Sequence, residues 1–257
     1  MSLKKHKVNG IKIWLDVSDN GISRRLIATK GKREPAFDWI MKREARGIAF
    51  DVGANIGYCS LLMRRRCDEV YSFEPDKRNL RILWKNANHN KKIHVIPFAV
   101  SDRKGHIKFT LARKPNLNVT GKGRHKVECI DLDTFSVKPD FIKCDIEGGE
   151  TQLLTGAMET LEQNNIGILI EVHPERYTKK NNFRKVLEML LRKGYKFKYV
   201  INAKGKVKLL KPYRCVKKFG SFPRRIWKDV PDDKCLKWAT TLPKDGKKVL
   251  RAIYLRK

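Results

Sequence analysis

Three groups of residues have types and spacings suited to chemistry. The first is the run Asp51-Val-Gly-Ala-Asn-Ile-Gly57, directly after an apolar segment and opening a helical one. Gly53 allows a tight turn there, and Gly57 a close approach of backbone to ligand. The helix N-terminus beyond them favours a carboxylate or phosphate. A dinucleotide pyrophosphate asks for G-x-G-x-x-G; with Asn55 at the third position it fits poorly. The second group is headed by Glu74, which ends the next apolar segment, VYSFEP. An acidic strand end about 20 residues past such a loop can accept hydrogen bonds from both hydroxyls of a ribose. Asp102, ending PFAVSD, occupies the corresponding place for an adenine amino contact, and it is equally suited to forming a turn. The third group is Lys143-Cys-Asp-Ile-Glu-Gly-Gly-Glu150 together with Glu171-Val-His-Pro174.

These residues can act together only if the intervening elements bring them to one place. Strands are expected at Ile48–Val52, Val70–Phe73, Ile93–Val100, Phe141–Cys144, Ile166–Val172, Tyr195–Ile201 and Val249–Leu255. Helices are expected between them at Tyr58–Arg65, Asp76–Asn88, Glu150–Gln163 and Phe183–Arg192. In the second of these, Leu80, Leu83, Trp84 and Ala87 share one face; the last is capped by Asn182 and ended by Gly194. Residues 103–135 read as a smaller β excursion. Short apolar strands alternating with helices predict an α/β, Rossmann-like fold, its central sheet mostly parallel and covered by helices on both faces. Ligands of such sheets sit outside the carboxyl ends of the strands. Asp51, Glu74, Asp102, Asp145 and Glu171 would therefore gather along one edge, in a chain with 58 Lys/Arg and 27 Asp/Glu. A cationic ligand gives that clustering a physical reason. Glu147 and Glu150, near a helix start, also suit the helix dipole.

Around this core, residues 1–46 read as an extension: a strand or hairpin turning at Asn9-Gly10 and a helix opened by Pro35. Residues 47–201 and 249–257 form the core, and residues 202–248 an insertion rich in basic and aromatic residues. At 257 residues, 41% hydrophobic and 33% charged, the chain is globular, with room for one α/β domain and an appendage. No apolar run approaches the roughly 18–20 residues of a membrane span, and no secretory leader is evident. Six scattered cysteines suggest reduced thiols in a cytoplasmic protein. The charge is uneven: residues 47–174 hold 19 Lys/Arg against 16 Asp/Glu, residues 175–257 hold 27 against 6. A field of that sign draws polyanions such as RNA or an anionic membrane, although a lysine-rich habit that keeps the surface soluble would leave the same trace. Basic and aromatic residues interleave at Tyr213-Arg214, Lys217-Lys218-Phe219 and Arg224-Arg225-Ile-Trp227, a pattern suited to stacking with phosphate contact.

The loop resembles the D-x-G-x-N-x-G variant of the S-adenosylmethionine motif of methyltransferases. Taken in order, FDVGANIGYCS, SFEPD, AVSD, IDLDTF, FIKCDIEGGE and ILIEVHP resemble the FkbM-type methyltransferase family over about residues 34–174. The resemblance implies a class I methyltransferase fold, S-adenosylmethionine as donor and, usually, O-methylation of a hydroxylated small-molecule or glycan acceptor. It places Asp51, Gly53, Asn55, Gly57 and Glu74 at the donor site, and Asp145, Glu147, Glu150, Glu171 and His173 around the acceptor. A hydroxyl acceptor must lose a proton, so a base near the methyl helps; Asp145, Glu171 and His173 are the candidates. Their spacing requires no metal, although the three could hold a divalent one that lowers the acceptor's pKa. RNA is the alternative acceptor, favoured by the basic third of the chain and disfavoured by the lack of an Asn-Pro-Pro-aromatic motif after the fourth strand. A polyanion-binding protein on a degenerate methyltransferase fold is a further alternative, against which the intact loop and Glu74 argue.

Overall fold

The computed structural model describes residues 1–19, 21–88, 90–110, 119–120, 123 and 125–257, without the side chains of Val119 and Thr120. Part of the expected β excursion at 103–135 thus lies outside the described residues. In chain order the elements are β1 Leu3–Val8, β2 Ile11–Asp16, α1 Ile22–Ala28, α2 Pro35–Glu44, β3 Ile48–Val52, α3 Tyr58–Met63, β4 Glu69–Phe73, α4 Lys77–Ala87 and β5 Ile93–Ile96. Then follow β6 Ala99–Val100, β7 Gly105–Thr110, β8 Val119–Thr120, β9 His125–Ile130, β10 Phe141–Cys144, α5 Glu150–Thr155, α6 Met158–Gln163 and β11 Gly167–Glu171. The remainder is α7 Phe183–Arg192, β12 Lys196–Asn202, α8 Val207–Leu210, β13 Arg214–Phe219, β14 Phe222–Lys228, α9 Asp232–Thr240 and β15 Leu250–Arg256.

The large sheet runs β13-β14-β12-β15-β11-β10-β3-β4-β5. Its half from β11 to β5 is parallel throughout. From β11 outward every pairing is antiparallel, so the sheet is mixed and not mostly parallel. The reason lies in two late segments. The β11–α7–β12 crossover leaves a gap that β15 fills in the opposite direction, and β13–β14 adds as a hairpin on the far side of β12. A second sheet, β6-β9-β7-β8, stands beside the first. The sequence reads Ile93–Val100 as one strand, but Pro97 and Phe98 separate β5 in the large sheet from β6 in the small one. Proline donates no ladder hydrogen bond, so the run breaks there.

Every residue of β10 and β11 is buried, and alternate side chains feed two cores on opposite faces. Ile142, Ile168 and Ile170 enter one; Phe141 and Leu169 enter the other with the β1–β2 hairpin, α2 and α3. The hairpin turns where expected, Asn9 and Gly10 both taking positive φ. α4 buries Leu80, Leu83 and Ala87, while Trp84 is half exposed at the rim of that face. In α7, Asn182 accepts a hydrogen bond from the Lys185 backbone N–H, and Gly194 leaves the helix at φ 91°.

The segment 202–248 packs closely: Asn202 accepts from the Arg225 N–H and Trp227 Nε1 and donates to the Pro223 carbonyl. Trp227 is consequently buried, and Tyr213 lies edge-on to Trp238. Trp227 therefore fills core, while Tyr213 and Trp238 pack against it half-buried. Among the described residues, no helix is long and apolar enough to cross a membrane.

The β3–β4 face depends on an aromatic cluster, with Phe50 edge-on to Tyr71, Phe73 and Phe135 at ring-centroid distances of 5.6, 5.1 and 5.6 Å. Phe50 is fully buried. Phe50→Ala should therefore lose about 3–5 kcal/mol of stability, read as a lower denaturant midpoint at unchanged slope; a loss below about 1 kcal/mol would show that the cluster is not close-packed.

Candidate active site

The parallel register sets Lys143 on β10 directly beside Asp51 on β3. Both side chains are buried, and Lys143 Nζ lies 2.9 Å from Asp51 Oδ1. The ammonium also donates to the Gly53 and Val52 carbonyls at 2.8 and 3.3 Å. Ser60 Oγ donates to Asp51 Oδ2 at 2.6 Å and accepts from Ser72 at 2.8 Å. Burial acts to depress the Lys143 pKa, but Asp51 outweighs it and holds the ammonium charged. Asp51 thus anchors the loop from beneath and is not on the cavity wall. Lys143 opens the third motif without a role assigned by its spacing; its signal is a lone charge inside the buried strand FIKC.

Above this pair the loop is shaped by backbone. Gly53 has φ 75°, and a Cβ there would stand 2.2 Å from the Asp145 carbonyl oxygen. Asn55 also adopts positive φ, 52°. Gly57 has φ 88°, and a Cβ on it would meet Leu83 Cδ1 at 2.6 Å. Its need is for the left-handed backbone that opens α3, since the tip of the Leu83 side chain could yield. Glu74 Oε2 accepts from the Asn55 N–H at 2.8 Å and Oε1 from the Asp76 N–H at 2.9 Å. Burial raises the Glu74 carboxyl to about 7 despite these bonds.

Gly53, Asn55 and Glu74 line a cavity of about 270 Å³. Asp145 and Glu147 form another part of its wall, and Arg25, Arg33 and Arg251 also face it. The arginines come from α1, from the turn before α2 and from β15; sequence spacing gave no sign of their convergence. Asp102 is elsewhere: it pairs with Arg103 at 3.1 Å and borders a separate depression.

Glu171 and His173 lie behind the acidic wall, each 2% exposed. Their ligand atoms and that of Asp145 fall within 4.8 Å of one another. His173 Nδ1 is 2.9 Å from Glu150 Oε1, and Nε2 is 3.4 Å from Glu171 and 3.6 Å from Glu147. Arg251 contacts Glu171. Burial acts to raise the Asp145 carboxyl, but Lys143, His173 and Arg251 hold it below its ordinary value. For His173, burial opposes the charged ring, and Glu150, Asp145 and Glu147 more than compensate. Glu147, like Asn55, is a non-glycine residue in left-handed backbone, at φ 50°; such strain gathers at functional sites.

The cavity suits S-adenosylmethionine. Glu74 offers a buried carboxylate, Gly53 lets the loop lie against the Asp145 carbonyl where no Cβ would fit, and Asp145 keeps negative charge on the wall. Comparison with known proteins agrees. The family described as Methyltransferase FkbM domain matches residues 51–197. The hexuronic acid methyltransferase AglP of Haloferax volcanii is 25% identical over 159 residues, covering 58% of this chain and 65% of that protein. The chain thus spans just under two thirds of that relative's length. Among solved structures, an FkbM methyltransferase from Methylobacillus flagellatus is 21% identical with a TM-score of 0.38, over 48% of this chain and 32% of that one. The M.jannaschii tRNA m1G37 methyltransferase is 15% identical with a TM-score of 0.45, over 99% and 54%. The family match begins at Asp51, on the loop that Lys143 and Glu74 hold, and extends over more than half of the sequence: the chain belongs to the FkbM methyltransferase domain family, whose methyl donor is S-adenosylmethionine.

Proposed function

We propose that this chain transfers a methyl group from S-adenosylmethionine to a hydroxyl oxygen of a sugar that carries a carboxylate. The observation that carries this reading is the meeting of a donor-type loop, an acidic wall and three arginines at one cavity. In it, Asp51, Gly53, Asn55, Gly57 and Glu74 serve the donor, Asp51 and Gly57 from behind the wall. The donor supplies an electrophilic methyl on a sulfonium and departs as the neutral thioether. Glu74 accepts from the ribose hydroxyls, and Gly53 lets the loop lie against the Asp145 backbone. Asp145 and Glu147, on the wall, are the nearest proton acceptors for an acceptor hydroxyl as its oxygen bonds to the methyl carbon. His173 orients them from behind.

Arg25, Arg33 and Arg251 fit the acceptor's carboxylate. Among the described residues, Arg25 and Arg33 have no carboxylate in ion-pair contact, so their charge is available to a ligand. A guanidinium matches a carboxylate in bidentate fashion. The name of the Haloferax relative, a hexuronic acid methyltransferase, points the same way. RNA is less well supported: Trp227 is buried, and Arg224 is engaged with Glu34. Lys217 and Lys218 sit exposed on β13 at the edge of the large sheet, where lysines also discourage edge-to-edge pairing.

Two experiments test the reading. Glu74 has a folded value near 7 against an ordinary 4.5. In the empty protein, its contribution to stability is therefore greatest below about 4.5 and is lost as the pH rises through 7. The ionised form is the better acceptor for hydroxyls, so donor affinity should climb as pH rises from 6 to 8. Glu74→Gln should remove that slope and weaken donor binding by about 1.5–3 kcal/mol at pH 8. Calorimetry showing a pH-independent wild type, or a variant that binds as well, would refute the donor assignment. For the acceptor, a uronate should be methylated in preference to its neutral hexose analogue. Arg33→Ala should raise the KM for uronate by about tenfold or more with donor affinity unchanged; equal rates on the two sugars would remove the carboxylate from the proposal.

A further inference from the structure

Acidic clusters are common on proteins and bind nothing; the group behind the cavity wall differs because of its histidine. An ionised Glu150 can only accept hydrogen bonds, and its Oε1 lies 2.9 Å from His173 Nδ1 and also accepts from the Gly148 N–H at 3.0 Å. In the neutral ring the proton therefore sits on Nδ1, and Nε2 presents a lone pair. Nε2 is buried without a hydrogen-bond partner. It faces Glu171 Oε1 at 3.4 Å and Glu147 Oε2 at 3.6 Å, with an Asp145 oxygen in the same group. A lone pair facing carboxylate oxygens is repulsive unless something positive lies between them, either a proton on the charged ring or a cation.

The spacing bears on what that is. A charged hydrogen bond would draw nitrogen and oxygen to about 2.7–2.9 Å. Two ligand atoms each about 2.1 Å from a shared ion, at an angle between the octahedral 90° and the tetrahedral 110°, stand roughly 3.0–3.4 Å apart. Within this group Arg251 and Lys248 approach only Glu171, both at Oε1, and Arg251 also pairs with Glu34; Lys143 is already held by Asp51. Among the described residues, His173 is the one cationic group in ion-pair contact with Glu147 and Glu150, and no lysine or arginine is in such contact with Asp145.

We propose that Asp145, Glu171 and His173 bind a divalent cation at the edge of the cavity, with Glu150 fixing the histidine tautomer from behind. Two carboxylates and one imidazole favour an ion of the Mn²⁺ or Mg²⁺ kind over a thiolate-seeking one. Glu150 completes the carboxylate–histidine–metal relay by which outer partners orient ligands. Because Asp145 lines the cavity, the ion borders the space assigned to the acceptor. Resting on the proposed function, its role there is to hold the acceptor oxygen and lower its pKa; binding itself does not depend on that reading.

The test is a titration of the full chain with Mn²⁺, following loss of the free-ion electron paramagnetic resonance signal. One Mn²⁺ per chain, displaced by excess Mg²⁺, is expected. Asp145→Asn and His173→Gln should each weaken binding at least tenfold, and Glu150→Gln, which removes no ligand, by about 10–100-fold. A second measurement covers variants that fail to fold: in wild-type protein carrying ¹⁵N-histidine, Mn²⁺ should broaden the His173 ring signals before those of the other histidines. No stoichiometric binding at millimolar Mn²⁺, no broadening of His173, or affinity unmoved by folded Asp145→Asn and His173→Gln would overturn the site. Stoichiometric binding in a protein that leaves uronates unmethylated would sustain the ion site and count only against the acceptor.

Discussion

The site depends on one buried ion pair. Asp51 and Lys143 belong to neighbouring parallel strands, and the sheet's register brings them side by side beneath the loop. A buried charge without a partner is costly, and removal of one member of such a pair leaves the other stranded. The pair therefore fixes more than itself. Lys143 also holds the Val52 and Gly53 carbonyls, so the loop's path follows from the strand pairing. From that path follow the close contact of Gly53 with the Asp145 carbonyl and the hydrogen bond from Asn55 to Glu74. A slip of one residue between β3 and β10 would turn one side chain of the pair to the opposite face and undo all three.

Upon this frame the cavity is divided electrically. Glu74, Asp145 and Glu147 contribute negative charge, and Arg25, Arg33 and Arg251 positive. The two kinds come from different parts of the chain: the acidic residues follow β4 and β10, while the basic ones come from α1, the turn before α2, and β15. Arg251 bridges the two through its contact with Glu171. A site arranged this way suits two ligands of opposite charge held next to each other, a sulfonium beside the carboxylates and an anion beside the guanidiniums.

Much of this was legible in the sequence where the information was local. The Gly53–Gly57 loop, Glu74 after β4 and the two acidic motifs after β10 and β11 are short runs whose roles depend on strand ends, and strand ends show in hydrophobic pattern. The placement of Asp145, Glu171 and His173 together followed from their positions after adjacent strands. What could not be read was set by tertiary packing. The three arginines meet only because the N-terminal elements and β15 fold against the same edge. Pro97 was visible, yet that the strand beyond it joins a second sheet was not. The interleaved aromatics of 202–248 looked like a binding face; Asn202 shows instead that Trp227 is tied into the core.

The antiparallel slot of β15 also bears on the order in which the molecule comes together. β15 pairs with β11 and β12, and it is separated from both by the hairpin, α8 and α9. Such long-range closure is entropically slow, because the intervening chain must be organised before the strand gains its partners. Arg251 therefore reaches the cavity only with β15, whereas the glycine loop and the acidic motifs belong to β3, β4 and β10. An intermediate lacking β15 would present the carboxylates unneutralised at the site and two neighbouring strands with open edges, and would be prone to pairing with other chains. This one strand thus both closes the sheet and sets a positive charge against the carboxylates of the site.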